Sequence, residues 1–130
     1  MTPFGARIRE MRQQRGITLQ DMAAALEVSP AYLSALEHGK RGRPNWFFLQ
    51  RIISYFNVIW DEAEALQRLA LISHPRVVVD TAGLSPDATE LANRLAEEIG
   101  GLNDAEIAEL LSQLKAMSRG RRQRRADPTE

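Results

Sequence analysis

The chain contains no cysteine, which excludes disulfide stapling, thiolate zinc sites and a cysteine nucleophile. Histidine is nearly as scarce. His38 and His74 are the two it has, far apart in sequence, so a metal site would rest almost wholly on carboxylates. No apolar run approaches the roughly 18 residues of a membrane span, and Met1 to Glu10 lack the basic start and continuous apolar stretch of a signal peptide. A cytoplasmic protein without membrane contact is the expectation. Catalytic constellations are missing as well. There is no Ser/His/Asp set, no phosphate-cradling glycine loop and no carboxylate pair in a pocket-forming context. Neither enzyme activity nor a metal or cofactor is expected, and no internal repeat is visible.

What is present suits one compact domain, or a small domain with an appendage: 130 residues, 44% hydrophobic and 26% charged. The net charge of zero conceals a division. Residues 1–56 hold eight Lys/Arg and four Asp/Glu, for +4; residues 57–118 hold four and eleven, for −7; the last twelve hold five and two, for +3. A basic head, an acidic middle and a basic end are compatible with nucleic-acid binding by one part of the chain.

Periodicity and caps predict an almost wholly helical chain. Phe4, Ile8 and Met11 recur on one face of a helix over Pro3–Gln14, stopped by Gly16. Thr18 with Asp21 opens a second helix, whose buried side is Met22, Ala23 and Leu26. The chain turns through Glu27 and Val28. Ser29 caps a third helix with Pro30 at its first position, and Gly39 ends it. A basic loop, Lys40 to Pro44, leads to Asn45, the cap of a fourth helix in which Trp46, Leu49, Ile52, Ile53 and Phe56 have core spacing. Asp61 with Glu64 restarts a fifth helix to about Ile72. Val77–Val79 is too short a β-branched run to stand alone as a sheet. Ser85 and Pro86 open a sixth helix; Gly100 and Gly101 turn the chain, and Asn103 with Glu106 caps a seventh. From Arg119 onward no apolar residue repeats, and the segment reads as a flexible basic tail.

Two short helices joined by a turn of roughly three or four residues form a helix-turn-helix. Residues 7–44 read RIREMRQQRGITLQDMAAALEVSPAYLSALEHGKRGRP. Over roughly residues 5–66 the chain resembles the lambda-repressor-like, Cro/C1-type (XRE) helix-turn-helix family. The match lies at Arg12, Gly16, Thr18, Met22, Ala23, Val28, Ser29, Tyr32, Leu33, Leu36, Glu37 and Gly39. The resemblance implies a bacterial-type regulator that binds double-stranded DNA, probing the major groove with the third helix. It implies an ion pair between Arg12 and Glu37. It assigns phosphate contacts to Thr18, Ser29, Lys40, Arg41 and Arg43, and base contacts to Pro30, Ala31, Tyr32, Ser34 and Ala35. Gln, Asn or Arg often stands in this family where Ala31 and Ala35 stand here, and Leu19 replaces a frequent Gln. A bidentate side chain supplies roughly 1–3 kcal/mol of base discrimination. Without one, direct readout is expected to be modest, with DNA shape and dimer spacing supplying the rest.

Several positions carry two readings. Tyr32 is either a base contact or a core residue, and the basic loop either binds phosphate or is solvated. Trp46 and Trp60 read as core or domain-junction residues; the basic tail either reaches DNA or does not. The last two helices carry wide apolar stripes through Leu91, Leu95, Ile99, Ile107, Leu110, Leu111 and Leu114. A hairpin cannot bury both stripes, so they either pack on their own head or form a homodimer, the favoured reading, with Val77–Val79 as a conceivable intersubunit strand. The fold expected is all-α: a five-helix DNA-binding head over 1–73, a short extended linker and helical hairpin over 74–118, and the tail over 119–130. The function expected is a homodimeric transcriptional regulator, a repressor by preference, nucleoid-associated when bound. The alternative is an antitoxin-like regulator whose C-terminal part binds a protein partner.

Overall fold

The structure is a computed structural model that describes residues 1–40 and 42–126. It is all-helical among those residues: α1 (Pro3–Gln14), α2 (Leu19–Ala25), α3 (Pro30–Glu37), α4 (Trp46–Phe56), α5 (Asp61–Leu71), α6 (Pro86–Glu98) and α7 (Asp104–Ala126), with a single 3₁₀ turn at Ile99–Gly101. The chain divides into two compact units, one from Met1 to Val78 and one from Val79 onward.

Helix starts follow side chains that satisfy otherwise unpaired amides. Thr2 accepts from the Gly5 amide at 2.9 Å, Ser29 from Tyr32 at 3.0 Å and Asn45 from Phe48 at 2.8 Å. Thr18 and Asp21 form a reciprocal capping box on α2, and Asn103 and Glu106 do the same before α7. Helix α5 begins differently. Its first residue follows Trp60, which sits at φ +55° without a side-chain cap, and Asp61, Glu62 and Glu64 set negative charge against the helix dipole.

The first unit owns the core. Phe4, Ile8, Met22, Leu33, Ile52 and Phe56 are fully buried at its centre, where α1 packs on α3 and α5, α2 on α3, and α4 on α5. Two close approaches fix α1 against the end of α3. A Cβ on Gly5 would lie 2.0 Å from the Glu37 carbonyl oxygen, and the Thr2 amide donates to that same oxygen at 3.1 Å. Ser73 ties the end of α5 back to the beginning of the chain by accepting from the Phe4 amide at 2.9 Å.

Two expectations are corrected. Arg119–Arg125 continues α7 instead of forming a flexible tail. Arginine has high helix propensity without any apolar period, and cations at a helix C-terminus complement its dipole; residues 127–130 of that segment lie outside the described residues. Trp46 and Trp60 are not core residues. They are 64% and 83% exposed within the first unit, because the first turn of α4 overhangs the core, which begins beneath it at Phe48, and Trp60 lies in the bend before α5. Val77–Val79, too short a run to make a sheet alone, is exposed irregular chain.

The second unit has no such core. No residue of α6 is buried, and the large apolar residues of α7 from Ile107 to Met117 are also exposed. Among the described residues no helix is long and apolar enough to cross a membrane.

Candidate nucleic-acid interface

Helix α3 is seated by its inward residues. Leu33 and Leu36 enter the core, and Glu37 is buried beside Arg12. Arg12 Nε donates to Glu37 Oε2 and Nη2 to Oε1, each at 3.1 Å, a two-pronged pairing that suits the planar guanidinium. The pair locks the last turn of α3 to α1, and with it the pitch of the whole helix.

The opposite face looks outward. Ser29, Pro30 and Ala31 are exposed, and Ser34 and Ala35 are half-buried. Tyr32 is intermediate in position as well as in burial: its ring meets Phe48 edge-on, with centroids 5.8 Å apart. It packs against the core at one edge while remaining near the exposed start of α3. This surface presents small apolar groups, a hydroxyl and a phenol, and no planar two-donor side chain.

The expected phosphate-binding residues occupy varied settings. Ser29 is the α3 cap, and Thr18, exposed, is committed to the α2 capping box. Lys40 is exposed just past α3, its backbone amide closing onto the Ala35 carbonyl. Arg43 is exposed too, but its Nη1 donates to the Leu71 carbonyl at 3.3 Å, so part of its fork serves the C-terminal end of α5. Arg41 lies outside the described residues. Gly39 makes the turn from α3 into this loop at φ +81°, where an added Cβ would stand 2.7 Å from the Thr2 methyl group.

A groove of about 390 Å³ borders the start of α3. Val28, Ser29 and Tyr32 line one side, and Asn45, Phe47, Phe48 and Arg51 the other. Reading the sequence placed none of the α4 residues at the interface. The available signal was the α4 pattern itself, since burial at Phe48, Leu49, Ile52 and Ile53 turns Phe47 and Arg51 away from the core. Among the described residues no cluster of three or more His, Cys, Asp or Glu is arranged to hold a metal ion.

Residues 3–66 match the family model of a helix-turn-helix domain. Among curated proteins, the chain is 32% identical over 65 residues to an uncharacterized HTH-type transcriptional regulator, RghRB of Bacillus subtilis (strain 168). That alignment covers 50% of this chain and 47% of the other. It is 44% identical over 52 residues, 40% of each chain, to the HTH-type transcriptional regulator DdrOP3 of Deinococcus deserti. The chain thus spans less than half the length of either relative. A solved complex of SinR protein with SinI protein aligns at a TM-score of 0.42 and 22% identity, over 88% of this chain and 97% of that one. In this chain four capped helices, a fifth opened by acidic residues, the seating of the third upon the first, and the match over residues 3–66 assign that segment to the helix-turn-helix domain family.

Proposed function

We propose that this chain is a transcriptional regulator that binds double-stranded DNA as a homodimer and represses by occupying its operator. The observation that carries the reading is the construction of α3. Its inner residues are locked to α1 through Arg12 and Glu37, while its capped start and outward face are left to solvent beside the Lys40–Arg43 loop. In this reading α3 enters the major groove. Pro30, Ala31, Tyr32, Ser34 and Ala35 meet base edges, and Thr18, Ser29, Lys40, Arg41 and Arg43 serve the backbone. Cationic side chains release condensed counterions, and a helix N-terminus offers amides to phosphate. With no two-donor side chain on the outward face, sequence preference comes from thymine-methyl contacts, the Ser34 hydroxyl and DNA shape. The action is binding, with no chemical step.

The homodimer is supported by the second unit. Leu91, Leu95, Ile99, Ile107, Leu110, Leu111 and Leu114 are each at least 38% exposed, and large apolar side chains left open in this number call for a partner surface. Two copies joined there would present two α3 helices to half-sites about 34–36 Å apart.

The test is a mobility-shift titration at several salt concentrations, comparing DNA upstream of the protein's own gene with random DNA of equal length. Preferential, salt-sensitive binding to the upstream DNA is expected. Absence of binding to either DNA at low salt would overturn the reading.

A further inference from the structure

We propose that Trp46 and Phe47 form an apolar abutment that packs against the deoxyribose edge of the DNA backbone beside α3, a contact that rests on the DNA-binding reading above. The two rings stand on the first turn of α4, 64% and 75% exposed, with centroids 5.3 Å apart at 87°. Two adjacent large aromatics left in water form a patch that marks a contact surface. The groove beside them determines what they contact.

Phe47 lines that groove together with Ser29 and Asn45. Ser29 caps α3 and Asn45 caps α4, so the N-terminal ends of two helices meet at one surface, each with the partial positive charge of its first turn. Arg51 adds a full charge to the wall. It is held by donating to the Leu26 carbonyl and lies 5.7 Å from the Phe48 ring centroid. Among the described residues, none that lines the groove is acidic. A purely apolar partner would gain nothing from these positive groups, and a simple anion would gain nothing from the rings. The backbone of duplex DNA presents both in alternation, an anionic phosphate followed by an apolar sugar face. Phosphate at the paired helix ends and deoxyribose against Trp46 and Phe47 match that alternation. The contact is independent of base sequence, so it raises affinity and orients α3 without contributing specificity.

Trp46 supplies its own reporter. In the full chain carrying Trp60→Phe, Trp46 is the remaining tryptophan. Its emission and acrylamide quenching are followed during titration with a random-sequence duplex of about 30 base pairs, long enough for two half-sites. Anisotropy of the labelled duplex is recorded in parallel. Shielding of Trp46 in step with the anisotropy rise is expected. Trp46→Ala with Phe47→Ala should weaken binding about tenfold with the salt slope unchanged, whereas Lys40→Ala should lower the slope by about one. Both aromatics are exposed, so the double variant should keep the thermal midpoint of the first unit, and Trp46→Phe should restore most of the affinity. A duplex that binds while Trp46 stays fully quenchable, or a double variant that binds as the parent does, overturns the abutment and leaves the DNA-binding reading intact. Stronger shielding by single-stranded DNA than by duplex also overturns it, in favour of base stacking. No anisotropy rise at low salt sinks the DNA-binding reading itself.

Discussion

Glu37 ties three parts of the head together. Its carboxylate takes two bonds from Arg12, its carbonyl takes the Thr2 amide, and its backbone leaves room for Gly5 but for no Cβ. The side chains of the ion pair are 10% and 5% exposed, so the partners have little water to fall back on. Removing one charge from such a pair strands the other, which costs about 3–5 kcal/mol, whereas apolar replacement of both is often neutral. Glu37→Gln should therefore lower the head's unfolding free energy by about that amount in urea titration, and Arg12→Met with Glu37→Leu should recover most of the loss. A loss below about 1 kcal/mol for the single variant would show that α3 is held by packing alone.

Among the elements, the start of α3 would in the proposed function serve both its own cap and a DNA phosphate, and a substitution can separate the two. Asp caps a helix as well as Ser does, so Ser29→Asp should leave the thermal midpoint of the head unchanged. The same carboxylate would face phosphate, and duplex affinity should fall more than about tenfold, read by anisotropy. Equal affinity would move the backbone contact away from the α3 cap. The helix starts at Thr18, Ser29, Asn45, Ser85 and Asn103 were legible in the sequence because a cap is a local event, written in one residue and the three after it. The end of α7 was not legible in that way. The apolar period stops at Met117, and the arginines that carry the helix further have propensity but no period. The outward turn of Trp46 was hidden for another reason: its spacing from Leu49 is that of a core position, and only the placement of the neighbouring helices leaves that first turn without a cover. The outward face of α3 was legible as a set of positions, but Tyr32 depended on Phe48, sixteen residues along the chain, to fix its ring.

For the whole molecule, the decisive contrast is between a unit with a dry centre and a unit without one. The first unit buries Phe4, Ile8, Leu33 and Phe56 on its own, while α6 has no buried residue. A chain of two compact units, one with a buried core and one without, is expected to unfold in separate transitions. Calorimetry should resolve two steps. The step of the first unit should keep its midpoint on dilution. The step of the second should move upward with protein concentration, as mass action requires when folding is coupled to association, and Leu111→Asp should abolish that movement while leaving the other step in place. One transition independent of concentration would mean that the hairpin stripes are satisfied within the chain. Under the proposed homodimer, the same uneven burial would make the amount of folded hairpin a function of how much protein a cell holds: at low abundance the second unit would open and close on its own, and the head would remain folded throughout.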